Sequence, residues 1–247
     1  MSRPLIVIPA RLASRRLPQK AMADLGGRPM IVRVWEQAMA AGVGPVVVAT
    51  DAAGIADAVS AAGGHAVMTG AGHASGSDRI AEAVAHFDPA GAHDIVVNVQ
   101  GDEPLVEPGA IRAALALMDD PAVDIGTLGA PTDAAERDDP DAVKVAGAAL
   151  APGRLRALYF SRSPVPWGEG VTIRHIGLYA YRRAALARFV TLPPSTLEQR
   201  ERLEQLRALE AGMRIDVALV ESAARGVDTP ADLERVRAIF AGKGKQE

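Results

Sequence analysis

Four cations follow the first apolar run of the chain within ten residues. The run Leu5–Ile8 leads into PARLASRRLPQK, which contains Arg11, Arg15, Arg16 and Lys20. Guanidinium groups and the backbone N–H groups of a short loop can surround a polyphosphate. The stretch matches neither GxxxxGK[ST] nor GxGxxG, which argues against a Walker-type NTPase and a dinucleotide-binding fold. It predicts a phosphate-binding loop of another kind, and the alternative is a solvated charged loop.

Two aspartates at predicted strand-to-helix junctions are candidate metal ligands. Asp102 lies in NVQGDEP, directly after an apolar run, and Asp228 lies in GVDTP, before a predicted helix. Mg²⁺ commonly binds one or two protein carboxylates together with substrate phosphates. Gly101 would allow a close approach of the backbone. The alternatives are an ordinary turn at Asp102 and a helix N-cap at Asp228, and a metal shared by the two is a hypothesis.

The histidines show no zinc pattern. None of the five belongs to an HExxH motif. His175 lies on a predicted strand four residues before Tyr179, and an even separation places both side chains on one face. A structural role for this histidine is the alternative.

The first 120 residues alternate short apolar runs with helical patterns. The runs at 5–8, 46–49 and 66–68 are apolar throughout, and the run at 95–99 is apolar except for Asn98. Such strands are typical of a parallel sheet that helices cover on both faces. Open sheets of this kind bind ligands at the carboxyl ends of their strands, which is where the cationic loop and Asp102 are expected.

The second half of the chain predicts an antiparallel or mixed part. Its predicted strands are 143–145, 158–160, 176–179 and 214–220. Residues 197–210 carry the strongest helix signal, with leucines along one face. Pro230 is expected to open the last helix, and Ser77 is expected to cap the helix that contains Ile80.

The composition excludes several classes of protein. A chain of 247 residues suits one large α/β domain, with or without a small lobe. Disorder is excluded by 49% hydrophobic residues, and a net charge of −3 argues against a general nucleic-acid binder. Cysteine is absent, which excludes disulfides, thiolate zinc sites and cysteine nucleophiles and suits a reducing cytosol. Neither a signal peptide nor a membrane span is expected, because no apolar stretch approaches 18 residues.

Ten segments, taken in order, resemble the 3-deoxy-manno-octulosonate cytidylyltransferases, also called CMP-Kdo synthetases. They are PARLASRRLPQK, GGRPMIVRVWEQA, VVVATD, SGSDRIAEAV, NVQGDEP, DAVKVA, ALYFSRSPVPW, RHIGLYAYRR, LEQLRALEAG and GVDTPADLERV. The likeness runs from about residue 4 to 240. NVQGDEP, FSR-x-x-x-PW and RH-x-G-x-Y-x-Y are its most specific pieces.

This resemblance implies a fold and a reaction. The fold is the α/β nucleotide-diphospho-sugar transferase fold, which is Rossmann-like, with a mixed, mostly parallel sheet, helices on both faces and a small dimerisation lobe. It implies one nucleotidyltransferase domain over 1–247, with a sugar-binding and dimerisation lobe at about 160–212. The implied reaction joins CTP to Kdo, an acidic eight-carbon sugar, with Mg²⁺ as cofactor, and yields CMP-Kdo and pyrophosphate. The implied protein is a cytoplasmic homodimer that serves lipopolysaccharide biosynthesis and binds neither nucleic acid nor membrane.

The resemblance also implies roles for individual residues. The implied CTP-binding residues are Arg11, Ser14, Arg16, Lys20, Ser75, Gly76 and Gln100. The implied catalytic residues are Lys20, Asp102 and Asp228, the two aspartates being the Mg²⁺ ligands. The implied sugar-binding residues are Arg79, Gln100, Arg162, His175, Tyr179, Glu204 and Gln205. Among them a cation such as Arg162 suits the sugar carboxylate, and Glu204 suits its hydroxyls.

The chain departs from the family pattern at a few positions. Arg15 stands where the family commonly has Thr, Gln19 stands where it has Gly, and the stretches at 69–75 and 168–173 differ. Two alternatives therefore stay open. One is a cytidylyltransferase for a related acidic sugar such as 8-amino-Kdo, and the other is a CTP-binding relative without catalytic activity.

Overall fold

The computed structural model describes residues 2–12, 17–221 and 226–243 and divides into two compact units. The first unit is Met1–Ile111 with Ala224–Glu247, and the second is Arg112–Ala223. The helices are α1 (Met30–Ala40), α2 (Ala53–Ala61), α3 (Gly76–Phe87), α4 (Pro108–Ala116), α5 (Ala134–Asp138), α6 (Arg183–Thr191), α7 (Thr196–Glu201), α8 (Gln205–Glu210) and α9 (Pro230–Lys243). In the described part of the chain, none of them is long and apolar enough to cross a membrane.

Four parallel strands form the sheet of the first unit. They are β1 (Pro4–Ala10), β2 (Val46–Thr50), β3 (His65–Met68) and β4 (Ile95–Asn98), in the order β3-β2-β1-β4. All residues of β2 and β4 are buried, so both faces of these strands are covered. The prediction of a parallel sheet from uniformly apolar runs is confirmed.

Five strands form the mixed sheet of the second unit. They are β5 (Ile125–Pro131), β6 (Lys144–Ala151), β7 (Arg154–Ser161), β8 (Ile173–Arg182) and β9 (Ile215–Leu219), in the order β8-β5-β9-β7-β6. The β5–β9 pair is parallel and the other pairs are antiparallel, including a short pairing of β6 with β8. This agrees with the predicted change of pattern in the second half of the chain.

The prediction of one continuous helix over 197–210 is wrong. The segment is two helices, α7 and α8, and Arg202 between them has a left-handed backbone with φ 57° and ψ 46°. The guanidinium of Arg207 donates to both carboxylate oxygens of Glu198, at 2.8 and 2.5 Å. In a continuous helix these two residues would be about 13 Å apart along the axis. The bidentate ion pair therefore requires the chain to turn back between them.

The prediction that Ser77 caps α3 is also wrong, because Ser75 does so. The hydroxyl of Ser75 accepts from the N–H of Asp78, and the carboxylate of Asp78 accepts from the N–H of Ser75. This reciprocal capping box needs an acidic residue three positions after the cap, a condition that Ser75 meets. Ser77 is buried inside the first turn. The helix opened by Pro230 is confirmed as α9.

Candidate functional site

A cavity of about 770 Å³ lies at the carboxyl ends of the strands of the first unit. Its walls come from the end of β1, the turn at Lys20, the N-terminus of α3 and the chain after β4. Eight of the residues proposed from the sequence line it: Arg11, Lys20, Ser75, Gly76, Arg79, Gln100, Asp102 and Asp228. Ser14, Arg15 and Arg16 lie outside the described residues. The volume is typical of a small-molecule site.

The ammonium group of Lys20 lies between two carboxylates. Its Nζ is 2.5 Å from Oδ2 of Asp102 and 3.2 Å from Oδ1 of Asp228. These three side chains come from positions up to 208 residues apart in sequence. The structure therefore assembles the pair that the sequence could only place at two separate junctions.

Backbone contacts fix the two aspartates beside each other. The N–H of Val227 donates to the carbonyl of Asp102 at 2.9 Å, and the buried side chain of Val227 packs in a cluster with Leu25 and Met30. A Cβ on Gly101 would lie 2.7 Å from the carbonyl oxygen of Pro9. Glycine is therefore required at 101 for the chain to pass this close to β1, as the sequence suggested.

Asp228 is not the N-cap of α9. Thr229 is the N-cap, because its hydroxyl accepts a hydrogen bond from the N–H of Asp232 at 3.2 Å. In return, the carboxylate of Asp232 accepts a hydrogen bond from the N–H of Thr229 at 3.0 Å. This capping box satisfies the helix end. It leaves the carboxylate of Asp228 directed to Lys20.

Gln19 occupies a conformation that favours glycine. Its backbone has φ 55° and ψ 29°, in the left-handed region, directly before the helical turn Lys20–Met22. This is the position where the family commonly has Gly. A left-handed residue other than Gly costs roughly 1–2 kcal/mol. The residue nevertheless places Lys20 against both aspartates.

Arg79 is the most deeply buried cation of the cavity wall, with 4% of its surface exposed. Its Nη1 donates to the hydroxyl of Thr69 at 2.6 Å, and its Nη2 donates to the carboxylate of Asp51 at 2.8 Å. A buried guanidinium needs such partners, because an unpaired one would carry a large desolvation cost. Neither Asp51 nor Thr69 was singled out from the sequence. Asp51 follows a β-strand directly, and that placement was the available signal.

His73 also lines the cavity and was not predicted to do so. Its Nε2 contacts the carboxylate of Glu82, which in turn accepts from the N–H of Gly70 at 3.0 Å. The hydrogen bond from His73 is the main reason why the pKa of Glu82 lies below its ordinary value. Glu82 thus ties the turn at 70–73 to the middle of α3.

The donor set fits a divalent cation. The carboxylates of Asp102 and Asp228 already converge on one cationic atom, and carboxylate oxygens are preferred Mg²⁺ ligands. Over residues 2–12, 17–221 and 226–243, no group of three or more His, Cys, Asp or Glu side chains could hold a metal. A cation bound by these two carboxylates would have coordination positions open for phosphate and water.

The remaining sugar-side candidates belong to the second unit. Arg162 is tied to main-chain carbonyls: its Nε donates to that of Glu201 and its Nη1 to that of Pro140, both at 2.9 Å. Glu204 and Gln205 lie at the start of α8, where Gln205 is buried. The break in the predicted long helix thus lies directly before both residues.

His175 and Tyr179 lie on β8 with their rings in contact, 5.4 Å between centroids, as the even spacing predicted. The ring of Phe160 packs edge-on against that of His175, with 5.0 Å between the two centroids. Burial lowers the pKa of His175 to about 3, with a smaller contribution from Arg174, and burial raises the pKa of Tyr179. Both rings are therefore uncharged at neutral pH.

We expect His175 to make the protein less stable as the pH falls below 6.5. The unfolded chain binds a proton on this ring near pH 6.5, whereas the folded protein does so only near pH 3. The unfolded state then holds more protons across this window, so the free energy of unfolding drops by up to about 1.4 kcal/mol per pH unit. Urea unfolding at pH 7 and pH 5 should show a smaller loss for His175→Gln than for the wild type. Equal losses would contradict the assignment.

Comparisons with known proteins agree on one family. The cytidylyltransferase family model matches residues 5–215. A curated relative from Methylobacterium radiotolerans, named 3-deoxy-manno-octulosonate cytidylyltransferase, is 63% identical over 98% of this chain and 99% of its own. A relative from Azorhizobium caulinodans with the same name is 63% identical over 96% of this chain and 95% of its own.

A solved structure supports the same relationship. CMP:2-keto-3-deoxy-manno-octonic acid synthetase in complex with CTP is 45% identical, with a TM-score of 0.91 over 98% of this chain and 100% of the other. The α/β fold class expected from the sequence, with its Rossmann-like nucleotidyltransferase architecture, is thereby confirmed.

Proposed function

Because the chain belongs to the cytidylyltransferase family, we propose that it transfers CMP from CTP to Kdo and releases pyrophosphate. The observation that carries this proposal is the cavity in which Lys20 lies between Asp102 and Asp228. A relative that is 45% identical over nearly the whole chain was solved with CTP. The enzyme serves the synthesis of lipopolysaccharide, which contains Kdo.

The nucleotide is bound by the cationic side of the cavity. Arg11 and Lys20 hold the triphosphate of CTP, since a phosphate oxygen attracts both a guanidinium and an ammonium. Ser75 and Gly76 form the N-terminus of α3, a twelve-residue helix whose first N–H groups favour an anion. Gln100 supplies a neutral amide. The family resemblance adds Ser14 and Arg16 to this set.

Mg²⁺ is the proposed cofactor, with Asp102 and Asp228 as its protein ligands. When bound, it neutralises phosphate charge and increases the acidity of the attacking hydroxyl. The carboxylates of Asp102 and Asp228 would bind the ion. The hydrogen bond from the N–H of Val227 to the carbonyl of Asp102 keeps these two residues adjacent.

The residues proposed for the acceptor sugar are those that the family resemblance implies. These residues are Arg79, Gln100, Arg162, His175, Tyr179, Glu204 and Gln205. The guanidinium of Arg162 donates to two main-chain carbonyls, and its Nη1 also lies 3.7 Å from the carboxylate of Asp141. A guanidinium has five N–H donors, so others suit the sugar carboxylate. Neutral His175 and Tyr179 suit the sugar hydroxyls rather than its charge.

The transfer needs no covalent enzyme intermediate. The anomeric hydroxyl oxygen of the sugar forms a bond to the α-phosphorus while the bond from that phosphorus to the α–β bridging oxygen breaks. The electron pair of the broken bond leaves with pyrophosphate, and the hydroxyl proton passes to solvent. The protein contributes positioning and charge: Lys20 stabilises negative charge on the phosphates, and Arg11 orients them.

A coupled assay for pyrophosphate tests this function. With CTP, Mg²⁺ and Kdo the protein should release pyrophosphate, and without sugar it should release little. An 8-amino-Kdo reaction and a UTP reaction run beside it. Pyrophosphate release with 8-amino-Kdo alone would show that the amino sugar, and not Kdo, is the substrate. Tight CTP binding without pyrophosphate release from either sugar would contradict catalysis.

We also propose that the protein is a cytoplasmic homodimer, with an interface on the second unit. That unit exposes several large apolar side chains, which are Leu150, Leu158, Trp167 and Val171. Trp167 is 99% exposed, which is unusual for a large aromatic residue in a free surface.

Light scattering should give twice the mass of the chain at micromolar concentration. The double variant Leu158→Lys, Val171→Lys should lower the measured mass toward that of one chain, because it places charge in a dehydrated interface. Met39→Lys, an exposed apolar residue of the first unit, is the matched control and should leave the dimer intact. A monomeric wild type would contradict the proposal.

A further inference from the structure

The strand β8 carries a bulge between the two rings that the proposed function assigns to the sugar. Thr127 of β5 pairs with Tyr179, but the next residue, Leu128, pairs with Ile176. Two residues of β8, Gly177 and Leu178, are therefore extra at this point. Bulges redirect side chains and are common beside active sites.

The hydroxyl of Thr127 lies at the centre of this bulge. The residue is fully buried. Its Oγ1 is 3.1 Å from the carbonyl oxygen of Ile176, 2.9 Å from that of Leu178 and 3.0 Å from Nε2 of His175. One hydroxyl thus meets the imidazole ring and two carbonyls, that of Leu178 inside the bulge and that of Ile176 directly before it.

The chemistry of these three neighbours decides which nitrogen of the ring carries the hydrogen. A carbonyl oxygen can only accept, and a hydroxyl has a single hydrogen to donate. The two carbonyls together attract the hydrogen of Thr127, so its oxygen presents lone pairs to the ring. Nε2 of His175 must then donate, and in a neutral imidazole the other nitrogen, Nδ1, can only accept.

We propose that Thr127 is a positioning residue that holds His175 as the Nε2–H tautomer, so that Nδ1 accepts a hydrogen bond from a hydroxyl of the acceptor sugar. This inference rests on the proposed function, since it specifies how one sugar-side residue recognises its ligand. It assigns to His175 a hydroxyl of the sugar and not its carboxylate, because an unprotonated nitrogen repels a carboxylate oxygen.

The packing of the ring agrees with this assignment. Phe160 and Tyr179 contact His175, and these two rings carry no charge to favour an imidazolium. The nearby charged group is Arg174, which further disfavours protonation, and burial keeps the pKa near 3. The ring is therefore neutral throughout the pH range in which the enzyme would be assayed, and the hydrogen bond with Thr127 decides its tautomer.

The test combines NMR of the histidine rings with steady-state kinetics. Protein labelled with ¹⁵N-histidine gives two-bond correlations that distinguish protonated from unprotonated ring nitrogens, and the signals missing from His175→Gln identify His175. In the wild type we expect hydrogen on Nε2 and none on Nδ1. Thr127→Val should move the ring toward the Nδ1–H form and raise the KM for Kdo about tenfold, with the KM for CTP changed less than twofold.

Two further variants separate positioning from folding. Thr127→Ser keeps a hydroxyl and should restore both the tautomer and the KM for Kdo. Thr132→Val removes another hydroxyl that donates to a carbonyl of the same unit, that of Thr172 at 3.1 Å, and should change neither.

A wild-type ring with hydrogen on Nδ1 would overturn the proposal. So would a Thr127→Val protein whose tautomer and KM for Kdo match the wild type. A shifted tautomer with an unchanged KM for Kdo would overturn the sugar contact. A wild type that releases no pyrophosphate with Kdo would overturn the proposed function instead, and the NMR spectrum would still judge the pairing of Thr127 with His175.

Discussion

Asp102→Asn lowers kcat by about 100- to 1000-fold while the protein stays folded. The substitution keeps the size of the side chain but removes one of two carboxylates that converge on Lys20. Loss of one preorganised charge contact in the transition state typically costs about 2.7–4 kcal/mol. The pair with Lys20 is partly exposed, so the change in the free energy of unfolding should be about 1 kcal/mol or less. Steady-state pyrophosphate release and thermal unfolding measure the two effects.

Asp94→Asn is the matched control. Asp94 is exposed, stands directly before β4 and accepts a hydrogen bond from the backbone N–H of Arg3. The same chemical change at the opposite end of the same strand should leave turnover intact. Near-normal turnover of Asp102→Asn would remove Asp102 from the proposed metal site.

Lys20→Met lowers turnover by a comparable factor and has an opposite effect on metal binding. Without the ammonium, Asp102 and Asp228 repel each other and attract a divalent cation more strongly. Mn²⁺ binding in the absence of nucleotide, followed by electron paramagnetic resonance, should therefore tighten in Lys20→Met and weaken in Asp102→Asn. The KM for CTP should rise in Lys20→Met, which lacks the ammonium group, and not in Asp102→Asn.

Lys20→Arg provides the control for charge. It keeps a cation near the two carboxylates, so Mn²⁺ binding should stay near that of the wild type, while the larger planar group restores turnover incompletely. Lys20→Met and Asp102→Asn proteins that shift Mn²⁺ affinity in the same direction would contradict a site shared by these three side chains.

Much of the first unit could be predicted from local patterns. Uniformly apolar runs identify buried parallel strands, and the carboxyl ends of such strands are where ligands bind. The placement of Asp102 after β4 followed from this rule. The rule could not predict that Asp228 lies beside Asp102. This contact forms only because the chain returns to the same place after 125 intervening residues.

The errors arose where a tertiary contact overrides a local pattern. Residues 197–210 have the leucine spacing of a helix, yet the ion pair between Glu198 and Arg207 requires a break at Arg202. Sequence periodicity reports the preference of each short stretch and is silent about a contact nine residues away.

Positioning residues were harder to predict than the residues they position. Arg79 was named from the family resemblance, whereas Asp51 and Thr69, which hold its guanidinium, were not. The sequence around Thr127 is that of an ordinary strand. Its three hydrogen-bonding partners come together at a bulge in β8, which the spacing of apolar residues does not predict.

A ³¹P NMR spectrum of the complete reaction shows which phosphorus atom of CTP is attacked. With CTP, Mg²⁺ and Kdo, the α-, β- and γ-phosphorus signals of CTP should give way to one phosphodiester signal and one pyrophosphate signal in equal molar amounts. That result would show attack on the α-phosphorus. CDP with inorganic phosphate or with a phosphorylated sugar would show attack on the γ-phosphorus and would contradict nucleotidyl transfer.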